Sequence, residues 1–180
     1  MLTEGNMKYL ETISDSGMVH LQPFNPMTQV IASEIISRIR EALPSADVFY
    51  FGSSALGLFG ENDIDLGVID AQEYVASGAT LESLFGLPLK IDEKNHVVRW
   101  EFVQEGFLVE LFLSDALAGR RREHLHNHEL LQEDEQLRDA YQNLKRASVG
   151  LPKREYMKKK LEFFNALAVD NEHKPPLPAV

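Results

Sequence analysis

One stretch of the sequence decides the fold: Phe51-Gly-Ser-Ser-Ala-Leu-Gly-Leu-Phe-Gly-Glu-Asn-Asp-Ile-Asp-Leu66. It joins two β-rich segments, 48–51 and 64–69, which are short enough to be single strands. The first segment stops at Gly52-Ser53, and the second begins in an alternating Asp-apolar-Asp-apolar pattern. The stretch therefore predicts two strands joined by a glycine-rich connection.

The alternating pattern places two carboxylates on one face of the second strand. Side chains two apart on a strand point the same way, so Asp63 and Asp65 lie about 7 Å apart along the backbone. Ile64 and Leu66 take the opposite face, toward the core. Two oxygen ligands facing one open space suit Mg²⁺, which favours a few carboxylates together with substrate phosphates. The alternative is a surface turn with two solvated aspartates.

The glycine and serine that end the first strand form a candidate phosphate site. Without a Cβ, Gly52 lets backbone N–H groups approach a phosphate closely, and the Ser53 hydroxyl adds a donor. The spacing from this pair to Asp63 and Asp65 is more demanding than an isolated Asp-x-Asp, so it favours a functional site.

A third carboxylate would complete such a site, and Glu110 is the candidate. Its neighbours within 107–113 are all apolar, and a charge among them is costly unless it is paired or bound to metal. The alternative is a glutamate on the solvent face of an edge strand, paired with Arg99. Glu101 competes for the same role, because a tight turn at 105–106 places it directly opposite Glu110. Two facing carboxylates repel unless a cation lies between them.

The rest of the pattern predicts an α+β domain, in which a mixed sheet of four or five strands is flanked by helices and followed by a C-terminal helical lobe. We expect a flexible arm at 1–17, the α/β core at 18–115, a helical region packed on it at 116–168 and a disordered tail at 169–180. The predicted strands are 18–22, 48–51, 64–69, 97–103 and 107–113. The predicted helices are 26–43, 71–85, 114–148 (two helices or one) and 152–168.

Composition narrows the class of protein. The chain has 180 residues, no cysteine and a net charge of −10, which suits one acidic globular domain and excludes disulfides and thiolate metal sites. It has no apolar run of membrane-spanning length and no signal-peptide layout, so we expect a cytoplasmic protein without membrane partners. The acidic balance argues against broad nucleic-acid binding.

The Gly-Ser pair, the gap and the Asp-Ile-Asp-Leu run resemble the signature of the DNA polymerase β-like nucleotidyltransferase superfamily, over residues 28–115. Glu110 matches the third acidic position of that family. The resemblance implies a nucleotidyltransferase that uses Mg²⁺ or Mn²⁺, with two ions held by Asp63, Asp65 and Glu110. The substrate would be a nucleoside triphosphate such as ATP, and Gly52 and Ser53 would seat its β- and γ-phosphates.

A wider resemblance, from Met18 to Leu167, is to the GrpB family, a branch of that superfamily. The segments that carry it are His20-Leu-Gln-Pro-Phe-Asn-Pro26, Gly52-Ser-Ser-Ala-Leu56, Leu137-Arg-Asp-Ala-Tyr-Gln-Asn-Leu-Lys145 and Tyr156-Met-Lys-Lys-Lys-Leu-Glu-Phe163. Typical members continue the turn with Pro-Gly, retain one clear aspartate and carry histidines on the later strand. Here the aspartate pair is complete and Glu110 stands on that strand.

Two further groups of residues are candidates for ligand binding, the histidines of 124–128 and the C-terminal basic residues. His124, His126 and His128 alternate, but on a helix only the first and last share a face, which favours a partly exposed polar helix over a metal site. Most of the C-terminal basic residues fit a solvated helix face. Lys145, within the GrpB-like segment, is the exception that we expect to bind phosphate.

The sequence leaves open the nucleotide base and the acceptor hydroxyl, whether on a small molecule, a protein or a tRNA end. Two other functions also stay open. One is a non-catalytic nucleotide-sensing or partner-binding module on the same fold, and the other is a purely structural acidic domain.

Overall fold

The computed structural model describes residues 2–14, 17–116 and 120–171, without the side chains of 120, 121 and 168–171. The chain divides into two compact units, Gln22–Glu135 and the combination of Met1–Leu21 with Gln136–Val180. The protein is α+β, as predicted.

The unit Gln22–Glu135 is built on a mixed sheet, in the order β1-β2-β5-β4-β3. Its strands are β1 (Asp47–Phe51), β2 (Ile64–Ile69), β3 (Lys90–Asp92), β4 (Val97–Gln104) and β5 (Phe107–Ser114). Only the central pair, β2 and β5, is parallel, and the other neighbours are antiparallel. The strand predicted from Ile64 to Ile69 is confirmed as β2, an interior strand of the sheet.

Helices bury one face of this sheet. They include α2 (Met27–Ala42) and α4 (Tyr74–Phe85). The predicted helix carries a buried apolar stripe, because Ile31, Ile35 and Ile39 are at most 1% exposed and belong to the same core cluster as the inward residues of β2 and β5. The first helical residue is Met27, one later than predicted, and the Asn25 side chain accepts a hydrogen bond from the Met27 N–H at 3.0 Å.

The hairpin between β4 and β5 has the predicted tight turn. Glu105 and Gly106 both have positive φ, 51° and 83°, the geometry of a two-residue turn that matches the twist of the strands. The turn sets the register, and Glu101 faces Glu110 across the hairpin. The remaining helices of this unit are the single turn α3 (Gly52–Ala55) and α5 (Arg120–Glu133).

The second unit is helical. It contains α1 (Glu4–Glu11), most of α6 (Glu135–Arg146), and α7 (Lys153–Asn171). Tyr141 is buried, and its ring centroid lies 5.4 Å and 5.1 Å from those of Phe163 and Phe164. This aromatic cluster joins α6 to α7.

The sequence suggested a flexible arm for the N-terminal segment. This segment contains α1, which begins with a reciprocal cap between Thr3 and Asn6. Asn6 also accepts a hydrogen bond from the Asn165 side chain at 2.7 Å, which ties α1 to α7. Caps of this kind satisfy the first N–H groups of a helix, and they were not recognised because the segment has no apolar stripe.

Two other differences concern strands. The short strand β3 was not predicted. The strand predicted at 18–22 is absent from the described residues, where this segment makes only two isolated β-bridges, from Met18 to Pro152 and from Gln22 to Gly60. The predicted disordered tail begins at 169, but residues 169–171 belong to α7, and the rest of it, 172–180, lies outside the described residues. Within the described chain, no helix combines the length and apolar character needed to cross a membrane.

Candidate functional site

The outward face of the sheet carries a row of acidic residues. Strand register aligns Asp65 on β2 with Glu110 on β5, and Glu110 with Glu101 on β4. Neighbouring strands are about 4.8 Å apart and aligned residues share a face, so the three carboxylates project from one side. Asp63 lies two residues before Asp65, just outside the start of β2. The structure thus brings Asp65 and Glu110 onto adjacent strands, as the proposed site requires.

A guanidinium group lies between the two glutamates of the row. Arg99 Nη2 is 2.6 Å from Glu101 Oε2 and 2.7 Å from Glu110 Oε1. The cation needed between facing carboxylates is therefore supplied by the chain itself. The alternative in which Arg99 pairs with Glu110 is confirmed, but β5 is a central strand, not an edge strand.

Gly52 packs directly against Asp65. Its φ is +81°, and a Cβ built at this position would collide with Asp65 Oδ2 and lie 3.1 Å from Asp65 Cγ. Only glycine combines this backbone conformation with so close an approach of a carboxylate. The turn continues as α3, in which Ser54 is buried and the Ser53 carbonyl accepts a hydrogen bond from the Leu58 N–H at 2.9 Å.

The aspartates also influence the core side of β1. Burial raises the pKa of Tyr50 to about 12, and the charges of Asp65 and Asp63 act in the same direction. The phenol of Tyr50 is therefore protonated at neutral pH, and the two aspartates place their negative charge at the same end of the sheet.

Two histidines of α5 lie at the end of β1. The His124 ring centroid is 6.1 Å from that of Phe51. His128 is half-buried and hydrogen bonds to the Gly52 backbone, while burial lowers its pKa. The polar helix and the shared face of these two histidines agree with the sequence, but their contact with the Gly52 turn was missed.

The acidic row does not form a closed metal cage. Among the described residues, no group of three or more His, Asp or Glu side chains is close enough together to hold a metal ion. The fit to a cation therefore rests on the oxygen donors Asp63, Asp65 and Glu110, and on the bare Gly52 backbone against Asp65. Such donors suit Mg²⁺, which keeps several water or phosphate ligands.

Lys145, the remaining candidate, lies on α6 in the other unit. It is 1% exposed, and its Nζ is 4.4 Å from the centroid of the Tyr141 ring. This contact is a cation–π interaction within the helical unit.

Comparison with known proteins places these features in a family. The family described as GrpB protein matches residues 18–169. The crystal structure of the conserved protein GrpB from Enterococcus faecalis is similar with a TM-score of 0.63 and 15% identity, over 86% of this chain and 100% of that one. No curated protein matches the chain by sequence.

Two further solved structures are similar to this chain. The GLD-2/RNP-8 complex contains a chain that is similar with a TM-score of 0.51 and 18% identity, over 98% of this chain and 68% of that one. The Cid1 poly(U) polymerase, whose structure has MgGTP bound, gives a TM-score of 0.46 and 13% identity, over 74% of this chain and 43% of that one. At such identities the likeness concerns the fold alone.

Proposed function

We propose that this chain, which belongs to the GrpB family, binds a nucleoside triphosphate with Mg²⁺ and transfers its nucleotidyl group to a hydroxyl acceptor. The observation that carries the proposal is the packing of the Asp65 carboxylate against the bare backbone of Gly52. A metal-binding carboxylate and a phosphate-binding turn are needed side by side in this chemistry, and Glu110 is in register on the next strand.

Each residue has a distinct role in the proposal. Asp63 and Asp65 would hold the metal that accompanies the triphosphate, and Gly52 and Ser53 would bind the β- and γ-phosphates. Asp65 and Glu110 would hold a second ion on the acceptor side. Bound metal ions supply charge stabilisation and lower the pKa of an acceptor hydroxyl.

Arg99 adds a condition to the role of Glu110. One oxygen of Glu110 is bound by Arg99, and a guanidinium and a metal ion compete for the same negative charge. We therefore propose that Glu110 joins the site only as Arg99 shifts toward Glu101, its second partner in the hairpin. Lys145 takes no part in this scheme, because its ammonium group is buried over Tyr141.

Calorimetry with Mg²⁺ and ATP tests the binding step. We expect the wild-type chain to bind the pair and Asp65→Asn to lose this binding, whereas Asp47→Asn, at an exposed position on the neighbouring strand, should retain it. No binding by the wild type at millimolar Mg²⁺ and each of the four common nucleoside triphosphates would refute the proposal.

A second candidate function is a nucleotide-binding module without catalysis. The pairing of Glu110 with Arg99 favours it, because the third carboxylate is then occupied by the chain. Pyrophosphate release distinguishes the two functions. Binding of nucleotide without pyrophosphate release, when small-molecule, protein and tRNA-end hydroxyls are supplied, would support the non-catalytic module.

A further inference from the structure

The face of α5 that meets the end of β1 has a role beyond packing. We infer that His128 is a positioning residue, which holds the Gly52–Ser53 peptide in the orientation that a bound phosphate requires. The inference rests on the proposed function, since the phosphate site is part of that proposal. The contact itself is a feature of the structure and has consequences that are measurable without nucleotide.

The hydrogen bond assigns the proton on the imidazole. His128 bonds to the Gly52 backbone, and its Nδ1 is buried with no hydrogen-bond partner in the described part of the chain. The bond is therefore made by the other ring nitrogen, Nε2. This bond acts to raise the pKa of His128, as a bond donated to the Gly52 carbonyl does and a bond accepted from an N–H does not. Nε2 therefore carries the hydrogen, and Nδ1 of the neutral ring does not.

Fixing the Gly52 carbonyl also fixes the direction of the next donor. In a trans peptide the C=O of one residue and the N–H of the next are coplanar and point in opposite directions. The carbonyl of Gly52 and the N–H of Ser53 belong to one such unit. Gly52 has a φ of +81°, and because it lacks a Cβ there is little steric hindrance to rotation of this peptide unit. A side-chain hydrogen bond to the carbonyl therefore restricts that rotation.

The contact is supported by the packing around it. Leu125, one turn before His128, lines a small apolar cavity of about 20 Å³ together with Phe51 and Phe112. His124, on the same helical face as His128, contacts Phe51. The helix is therefore seated on β1 and β5 by apolar contacts, and His128 is brought to Gly52 from a supported position. The Cβ direction of Gly52 is occupied by Asp65.

The helix provides a matched control. His126 lies between His124 and His128 on the chain and is exposed, whereas His128 is partly buried. His128→Phe keeps a ring of similar size and removes the donor, His128→Gln keeps an N–H donor at similar reach, and His126→Phe makes the same chemical change on the solvent face. Affinity for Mg²⁺ with ATP, affinity for Mn²⁺ alone and hydrogen exchange at the Ser53 amide should be measured for all four proteins.

We expect His128→Phe to weaken nucleotide binding by about tenfold, the effect of one hydrogen bond, and to speed exchange at Ser53. Binding of Mn²⁺ alone should change little. His128→Gln should restore most of both losses, and His126→Phe should match wild type. Unchanged exchange at Ser53 in His128→Phe, or equal losses in His126→Phe, would overturn the inference.

Two results separate this inference from the proposed function. If the wild type binds no nucleotide, the proposed function fails, while exchange at Ser53 still decides whether His128 controls the turn. If His128→Phe does not fold, ¹⁵N NMR of the wild type tests the contact between His128 and Gly52, because it shows which ring nitrogen of His128 carries the hydrogen. An Nε2–H tautomer supports it, and an Nδ1–H tautomer contradicts it.

Discussion

The two halves of the acidic row are stabilised in different ways. On β4 and β5, Arg99 bridges Glu101 and Glu110, so the hairpin supplies its own counter-charge. On β2, Asp65 packs against the backbone of Gly52 at a position where any side chain would collide with it. The comparison teaches that charge on this face serves two purposes. The hairpin pair holds strands together, and the Asp65–Gly52 contact is the place where we propose that a ligand binds.

Removing the charge of Asp65 should have the largest effect. We expect Asp65→Asn to weaken binding of Mg²⁺ with ATP by at least about 100-fold, the upper range for groups around a metal, because the amide lacks the charge. Mg²⁺ should raise the melting temperature of wild type and not of this variant, since a ligand stabilises only the state that binds it. Calorimetry and thermal melts check this. Equal melting shifts in both proteins would place the ion elsewhere.

Two glycines with nearly equal φ separate strain from collision. Gly52 (+81°) has Asp65 in the path of a Cβ, whereas Gly106 (+83°) has nothing within 4 Å. We expect Gly106→Ala to lower the free energy of unfolding by about 1 kcal/mol through strain. Gly52→Ala should cost about 2 kcal/mol and also weaken metal binding, because Asp65 must move. Urea denaturation measures both. Equal losses of unfolding free energy in the two variants would show that Asp65 moves away from a Cβ at position 52 without any cost in stability.

Arg99→Met breaks the counter-charge of the hairpin. Since the ion pairs are partly exposed, with side-chain exposures of 31%, 36% and 26%, the free energy of unfolding should fall by only about 1 kcal/mol. Affinity for Mn²⁺ should rise severalfold, because Glu110 is released to the metal. Lys90→Met is the control, as Lys90 is the register partner of Arg99 and is exposed. A similar rise in that variant would indicate a general charge effect instead.

Asp70, which follows β2, should show the smallest effect. The Glu73 N–H at 2.9 Å is the main cause of its lowered pKa, with contributions from the Ser77 hydroxyl and the Gln72 N–H. A lowered pKa stabilises the fold above the ordinary carboxylate pKa, and this stability is lost as pH falls through the lowered value. Asp70→Asn should therefore lose up to about 1 kcal/mol at pH 7, and the difference should shrink in acid. Unfolding at several pH values measures this, and nucleotide affinity should not change.

The sequence predicted local geometry best. The hairpin register followed from one tight turn, so the placement of Glu101 opposite Glu110 was predicted correctly. The alternation through Ile64, Leu66 and Val68 gave the buried face of β2, where all three are 0% exposed. In both places a short-range rule determines which side of the strand a residue takes.

The remaining features depend on contacts between distant parts of the chain. A polar helix such as α5 has no strong apolar stripe, so its pattern does not show which neighbour His128 meets. β3 is too short for alternation to identify it, and it is a strand because it pairs with β4. The sequence allowed two roles for Glu110, a metal ligand or an ion-pair partner of Arg99, because both roles need a carboxylate. Only the fold shows that the ion pair with Arg99 is present.

The parallel pairing of β2 with β5 has a consequence for the order in which the protein is made. The segment between these strands contains α4, β3 and β4, so Asp65 leaves the ribosome long before Glu110. The β4–β5 hairpin is local and forms without closing a long loop, whereas joining β2 to β5 carries the entropy of that closure. The acidic row is therefore complete only once β2 has joined β5, so the ligand binding proposed at Asp65 and Glu110 would report finished folding.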